Sequence, residues 1–385
     1  MTHIFLTRQK KALTLLGHWF PTKKYRIPYL IYRCFLLFIQ WSFLLFNIIY
    51  MRQVWGDLEE TSEGSYLLFT HATLSLKSTI FLMSKSRWSN ILNFMESDIF
   101  AAQTSVHEKI LSVDAMKMWS VYAFFITSAT FNCIEWAVVP LLDNHGERVF
   151  PFKIWMPADP TKSPEYHIGY VYQVMAIYIN AATFLTMDYL TASLIMFAAT
   201  QLGIIEEKIK QIPATPLSAT LEEKNKLIKQ NNEILNECIQ HHQAVIRFVR
   251  LVENMFNVNV FFQMSGTVAI ICVISFRMTI EPPNSIHFFS TLNYLISILA
   301  QLYLYCWSGS ELTDRSQILR DTLYTSTWYE QDQRFKKTLA IAMECMKRPI
   351  VYRAGYLIPL SRPTFVSVLR CSYSYFAVLN QVNNK

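Results

Sequence analysis

The sequence predicts an all-α membrane protein with seven transmembrane helices, and three observations lead to this prediction. Its 385 residues are 52% hydrophobic and only 16% charged, which is too apolar for an ordinary soluble enzyme. Seven stretches approach the roughly 20 apolar residues that a helix needs to cross a hydrocarbon core of ~30 Å. No internal repeat, Pro-rich tract or Gly/Ser-rich linker separates them, so we expect one membrane-embedded unit.

The predicted spans follow one another along the whole chain. They cover residues 28–50, 66–84, 118–142, 166–201, 257–277, 286–308 and 363–382. The fourth is longer than a bilayer requires, so it should tilt or extend beyond the lipid as one continuous helix. The second and seventh are the least hydrophobic, because each contains a cation, Lys77 or Arg370, together with hydroxyl residues.

Lysine and arginine are distributed unevenly about these spans. Of the 35, we place 27 in segments on one side, six on the other and two inside spans. Because cytoplasmic segments carry the excess of Lys and Arg, the N-terminus should be cytoplasmic and the C-terminus external. The net charge of +7 therefore reflects membrane topology, and we expect no nucleic-acid partner.

Sequence signatures of catalysis are missing. The chain contains no HExxH, GxSxG, P-loop, GxGxxG or CxxC pattern, so we expect no enzyme activity, catalytic residue or cofactor. The adjacent pair His241 and His242 does not predict a metal site, because neighbouring residues of a helix point ~100° apart. We expect both to be solvated on the cytoplasmic side.

Charged residues inside spans are costly and usually face protein or water. Asp188 lies in the cytoplasmic half of the fourth span, where we expect a structural pairing with Lys77. Glu135 lies near the outer end of the third span. It either contributes a polar group to a binding pocket or extends to the external interface.

The last predicted helix carries polar residues at helical spacing on an apolar background. One face combines hydroxyl, basic and amide residues with valines: Ser367, Arg370, Cys371, Ser374, Val378, Gln381 and Val382. Two interpretations stay open from this pattern alone. The helix either packs inside a bundle, where small residues allow close approach, or lines a pore that a ring of valines closes by dewetting.

Three C-terminal stretches resemble a known family. They are YCWSGSEL (305–312), LYTSTWYEQDQRFKKTLAIAMECMKRPI (323–350) and LSRPTFVSVLRCSYSYFAVLNQV (360–382). Together they are similar to the insect odorant receptors, and the resemblance extends more loosely over the whole chain. The predicted order of seven spans agrees with that family and is opposite to that of a G-protein-coupled receptor.

The resemblance implies an odorant receptor subunit of a ligand-gated, non-selective cation channel in the plasma membrane. It would form a tetramer with the family's co-receptor. A hydrophobic gate followed by a glutamine in the last helix matches Val378, Gln381 and Val382, with Ser374 on the same face. The implied organisation is a cytoplasmic N-terminal segment (1–27), six spans (28–310) with a cytoplasmic extension (203–256), an anchor region (311–362) and a pore helix with its tail (363–385).

The resemblance also implies two interaction regions. An amphipathic helix marked by Trp328, Phe335 and Leu339 would belong to the anchor where subunits touch, the alternative being a helix that lies on lipid headgroups. A small volatile odorant would bind in the outer half of the bundle, between spans two, three, four and six. Depth along these helices selects His71, Leu74, Phe131, Glu135, Tyr172, Met175, Ile179 and Tyr294, and ordinary packing is the alternative for each.

Other function classes remain open at this stage. A gustatory-receptor-type channel of the same superfamily would share the seven spans, although the SYSYF run favours the odorant branch. A non-channel seven-helix receptor or a transporter is the second alternative. Transporters commonly contain inverted repeats, and the sequence contains no internal repeat.

Overall fold

The computed structural model describes residues 5–20, 26–143, 148–214, 220–283 and 285–383. Within them the chain is almost entirely helical, and the prediction of an all-α membrane fold is confirmed. The helices are α1 (Thr7–Leu15), α2 (Arg26–Gln53), α3 (Leu58–Met83), α4 (Lys85–Met95), α5 (Ser105–Asp143), α6 (Ser163–Lys210), α7 (Leu221–Ile280), α8 (Ile286–Thr325), α9 (Gln333–Cys345) and α10 (Arg362–Asn383). Two short 3₁₀ turns, Asp98–Phe100 and Trp328–Glu330, complete the helical elements.

Each of the seven predicted spans coincides with part of one long helix, and only the second extends beyond its helix, by one residue past Met83. Five described helices, α2, α5, α6, α7 and α8, are long and apolar enough to cross a membrane. Helices α3 and α10, which contain the second and seventh predicted spans, fall below that level of hydropathy, as their cations and hydroxyl residues lead us to expect.

Helix α6 forms the centre of the fold. It has 48 residues, longer than a bilayer requires, and packs against α5, α7 and α8. Every residue from 186 to 202 is buried, so this half is surrounded by protein on all sides. The outer half is different, because Ile168, Val171 and Met175 are more than half exposed. The packed core therefore lies toward the cytoplasmic half of the bundle.

Helix α7 continues the fifth span into the cytoplasmic region as one helix of 60 residues. Thr220 begins it with a capping box, in which its backbone N–H donates to Glu223 Oε2 (2.9 Å) and its Oγ1 accepts from Glu223 N. Such reciprocal bonds satisfy amides that have no partner inside the helix. Further along, Asn232 donates to Asp332 Oδ1 (2.9 Å), the residue that caps α9. This bond fastens α9 to the α7 extension.

A β-hairpin that the sequence analysis did not anticipate connects α9 to α10. Its strands, β1 (Arg353–Ala354) and β2 (Ile358–Pro359), are antiparallel. The turn requires positive φ at Gly355 and Tyr356, and Tyr356 is held by a bond from its hydroxyl to Asn254 Oδ1 (2.9 Å). A lone two-stranded hairpin is marginally stable in water, so its packing on α7 is what supports it.

The hairpin also sets where α10 begins. Leu360, fully buried, lies so close to Gly309 of α8 that a Cβ there would be 2.4 Å from the Leu360 carbonyl oxygen. The backbone N–H of Arg362 donates to Ser310 Oγ (3.0 Å). The first turn of α10 is therefore attached directly to α8.

Candidate functional site

A cavity lies between α3, α5, α6 and α8, the helices of predicted spans two, three, four and six. Its volume is about 80 Å³, well above the ~10–15 Å³ that one water needs on the same measure. Most of its wall is apolar and includes Leu74, Phe125, Ile177, Phe184 and Ile298. Such a site favours a small apolar molecule, whose affinity comes mainly from burial.

Several polar side chains of the wall are bonded to one another. Thr70 Oγ1 donates to the Tyr66 carbonyl (2.8 Å), so the Tyr294 hydroxyl, 2.8 Å from Thr70 Oγ1, donates to it in turn. Ser297 donates to the Asn293 carbonyl (3.0 Å) and accepts from Asn132 Nδ2 (3.0 Å). These bonds fix the positions of the polar side chains in the wall, and none of them involves a charged group.

A buried ionic network adjoins the cavity. The Asp188 carboxylate pairs with Lys77 and accepts hydrogen bonds from Gln301 and from the Tyr305 hydroxyl (2.6 Å). The expected pairing of Asp188 with Lys77 is therefore present. Gln301 belongs to both the network and the cavity wall, and Lys77 Nζ lies 4.0 Å from the centre of the Phe184 ring, also in the wall. A molecule in the cavity would contact the side chains that hold this network.

Helix α10 exposes one continuous face in the single subunit. Its buried side, which includes Ser372, packs against α7 and α8. The exposed side recurs every three or four residues and contains Ser367, Arg370, Cys371, Ser374, Val378 and Gln381. These are residues of the polar and valine face found in the sequence. The Val382 side chain lies outside the described residues.

Comparison with known proteins identifies the family. The family model described as 7tm Odorant receptor matches residues 57–373, most of the chain. The chain belongs to the odorant receptor family. The resemblance found in the C-terminal third is thereby confirmed, and the protein is a multi-pass membrane receptor. This family consists of receptors, in agreement with the expectation that the chain is not an enzyme.

Receptors of two insects are similar to this chain over most of its length. The receptor is 23% identical to Odorant receptor 46a, isoform A, of Drosophila melanogaster, over 99% of this chain and 98% of that one. It is 22% identical to Odorant receptor Or1 of Anopheles gambiae, over 89% of this chain and 86% of that one. The likeness extends over nearly the full length of these proteins.

The fold agrees with a solved receptor at low sequence identity. The olfactory receptor OR5 of Machilis hrabei in complex with eugenol superposes with a TM-score of 0.84 at 14% identity, covering 98% of this chain and 97% of that one. A structure of the same protein described without eugenol matches equally well. At this identity the comparison shows a common fold.

The receptor's cavity contains three of the predicted pocket residues. His71 and Leu74 line it from α3 and Tyr294 lines it from α8. The ring of His71 is 2% exposed and lies 4.5 Å, centre to centre, from the Phe43 ring. Its role in ligand binding, like that of the other two, remains a prediction.

The other five predicted residues do not line the cavity. Phe131 and Met175 point outward and are 62% and 51% exposed. Tyr172 contacts Ser42 Oγ (2.7 Å), Ile179 packs into a separate apolar cluster, and Glu135 accepts a long bond from Asn293 Nδ2 (3.4 Å). Their depths were inferred, but the rotation of each helix was not, and one residue along a helix turns a side chain by ~100°.

Two helical stripes show what the sequence analysis missed. On α5 the wall residues are Phe125, Ser128, Ala129, Asn132, Cys133 and Trp136. On α6 they are Ile177, Asn180, Ala181, Phe184 and Leu185. Both follow the i, i+3, i+4 spacing of a single helix face. The amides Asn132 and Asn180, which interrupt apolar runs on these faces, were the available signal.

The predicted anchor residues mostly face the receptor's own interior. Phe335 and Leu339 are 1% and 3% exposed and belong to the main core, so their side chains are not available to another subunit. Trp328 packs at the edge of that core and donates to the Tyr324 carbonyl (3.1 Å). The role of Trp328, Phe335 and Leu339 in subunit contact remains a prediction. Within one subunit Phe335 and Leu339 fix α9 to the core, Trp328 stays partly exposed, and the opposite face of α9 exposes Ile341 and Cys345.

The prediction that His241 and His242 are solvated is wrong. They are 3% and 7% exposed, and His241 Nε2 lies 2.9 Å from Gln201 Oε1. Burial lowers the pKa of His241 to about 3 and that of His242 to about 4, so both rings are neutral at cytoplasmic pH. Packing of the α7 extension against α6 and the turn at Phe100, whose ring lies 5.6 Å from that of His241, excludes water.

Proposed function

We propose that this receptor is the odorant-binding subunit of a ligand-gated, non-selective cation channel in the plasma membrane. It would assemble as a tetramer with the family's co-receptor and bind a small volatile organic molecule. The observation that carries the proposal is the apolar cavity between α3, α5, α6 and α8. The fold shared with a receptor solved in complex with eugenol, a small volatile compound, supports this class of ligand.

The exposed face of α10 supports the channel part of the proposal. Val378 is 59% exposed in the single subunit, with Ser374 and Gln381 exposed on the same face. The exposure of this apolar side chain in the single subunit is explained if copies of α10 surround a central lumen. Hydroxyl and amide groups would then wet the lumen, and Val378 with Val382 would narrow it.

The attachment of α10 to α8 would connect the ligand cavity to the proposed pore helix. Helix α8 contributes Tyr294 and Ile298 to the cavity. About three turns further along, the same helix holds the start of α10 through Gly309 and Ser310. A ligand that shifts α8 would therefore shift α10, provided that the two arrangements differ in their affinity for the ligand.

The experiment is whole-cell current from cells that express the receptor with the co-receptor during application of an odorant panel. Replacing Leu74 with tryptophan should fill the cavity and reduce responses at least about tenfold, equivalent to ~1.4 kcal/mol of ligand affinity. Ala181→Leu should weaken them less, because it adds less volume. Overpacking commonly costs 1–3 kcal/mol of stability, so surface expression is measured in parallel.

The matched control is Leu45→Trp on α2, where the leucine is 53% exposed and lies outside the cavity. It should leave the responses unchanged. If surface-expressed Leu74→Trp and Ala181→Leu receptors respond as the wild type does, the odorant site is not this cavity and the proposed function loses its main support.

A further inference from the structure

Two amide side chains of the cavity wall have polar atoms without a hydrogen-bond partner among the described residues. Both side-chain polar atoms of Asn180 are unbonded, and so is Oδ1 of Asn132. The two residues are 2% and 4% exposed. Buried polar groups are nearly always bonded, and an unbonded one costs free energy comparable to a lost hydrogen bond. Their position in the cavity wall means that a bound molecule is able to supply the missing bonds.

The orientation of the Asn132 amide follows from its neighbours. Ser297 Oγ uses its hydrogen on the Asn293 carbonyl (3.0 Å), so it accepts from Asn132. The atom of Asn132 that faces Ser297 is therefore the amide nitrogen, and the oxygen is the unbonded atom. Asn132 thus offers an acceptor.

His71 adds a second kind of acceptor to the wall. Its Nδ1 lies 2.8 Å from the Leu67 carbonyl. Because a carbonyl can only accept, Nδ1 carries the hydrogen, and in the neutral ring Nε2 is then an acceptor. The hydroxyls of Thr70, Tyr294 and Ser297 already donate to other groups of the protein. Of the three unbonded amide atoms in the wall, two are acceptors, Oδ1 of Asn132 and Oδ1 of Asn180, and one is a donor, Nδ2 of Asn180.

We infer that the cavity selects alcohols and phenols among small volatile molecules, with Asn180 and Asn132 as the specificity-determining residues. A hydroxyl donates to one of the two amide oxygens and accepts from Asn180 Nδ2, while the rest of the molecule packs on Leu74 and Phe184. An ether, ester or ketone can only accept, and a hydrocarbon does neither. This inference rests on the proposed function, because it assigns a ligand class to the same cavity.

The receptor contains a matched control for this inference. Asn47 of α2 is also fully buried with both side-chain polar atoms unbonded, but it lies outside the cavity wall. Asn47→Leu and Asn180→Leu make the same chemical change, the replacement of an unbonded buried amide by an apolar group of similar size. Only the second removes polar atoms from the cavity.

The experiment measures the potency of phenol, benzyl alcohol and hexanol, each against its methyl ether and its parent hydrocarbon, in cells that express the receptor with the co-receptor. The wild type and Asn47→Leu should prefer each hydroxyl compound over its ether by about tenfold, or ~1.4 kcal/mol. Asn180→Leu should abolish most of this preference and retain or gain hydrocarbon responses. Asn132→Leu should reduce the preference partially.

Three results would overturn the inference. One is a wild-type preference for ethers or hydrocarbons, or no response to any hydroxyl compound. Another is an undiminished hydroxyl preference in Asn180→Leu. The third is an equal loss in Asn47→Leu, which would indicate a general effect of removing buried amides. Responses abolished by Leu74→Trp but insensitive to Asn180→Leu would leave the cavity as the odorant site and reject only the ligand class.

Discussion

Replacing Lys77 with methionine should remove most of the folded receptor. The change leaves the Asp188 carboxylate, 1% exposed, without its counter-charge. Breaking one side of a buried ion pair costs about 3–5 kcal/mol in soluble proteins, a large part of the ~5–15 kcal/mol that typically stabilises a fold. Gln301 and Tyr305 still donate to Asp188, but neutral donors do not replace the positive charge.

Surface expression and thermal stability in detergent are the measurements for this prediction. The double variant Lys77→Met with Asp188→Leu should recover part of the loss, because no unpaired charge remains buried. Lys109→Met, at an exposed position of α5, should behave as the wild type. Normal expression and stability of the Lys77→Met receptor would show that the pair does not support the fold.

Replacing Val378 with serine should raise the current that flows in the absence of odorant. A ring of valines closes a pore only if the lumen is narrow and poorly wetted, and a hydroxyl at that position makes water less unfavourable. Basal current, normalised to surface expression, is measured with the co-receptor kept wild type. Wild-type co-receptor subunits dilute the effect, because they contribute their own residues to the ring.

Leu379 provides the matched control for Val378. It lies ~100° around the helix and is only partly exposed, adjoining the side of α10 that packs on α7 and α8. Leu379→Ser should therefore reduce stability without opening the pore. Equal basal currents from the two variants would mean that the exposed face of α10 is a packing surface and not the pore lining.

The broad architecture was accessible from sequence because it follows from two strong physical constraints. A bilayer of fixed thickness requires long apolar helices. The fourth apolar stretch exceeds that thickness, so the unusual length of α6 could be predicted from the sequence. An ionic group in hydrocarbon requires a partner, and this predicted the Lys77–Asp188 pair. Both constraints act within short segments or between rare residues, so they need no tertiary information.

The features that could not be predicted from the sequence depend on how the helices rotate about their axes and pack against one another. Phe131 and Met175 have the right depth for the cavity but face outward, while Asn132, next to Phe131, and Asn180, next to the predicted Ile179, line it. His241 has the polarity of a surface residue and is buried by tertiary packing. The hairpin at Gly355 is only two residues per strand, too short to produce an alternating pattern.

The reversal potential of the odorant-evoked current tests most directly whether α10 of this receptor lines the ion path. Gln381 is exposed on the same face as Val378, near the predicted external mouth. With the co-receptor unchanged, Gln381→Glu should raise the permeability of Ca²⁺ relative to Na⁺ and Gln381→Lys should lower it, since a charge at a pore mouth attracts or repels cations. Opposite shifts of the reversal potential in the two variants are the predicted result. Reversal potentials equal to that of the wild type in both, with odorant-evoked currents of normal size, would contradict a pore lined by this helix.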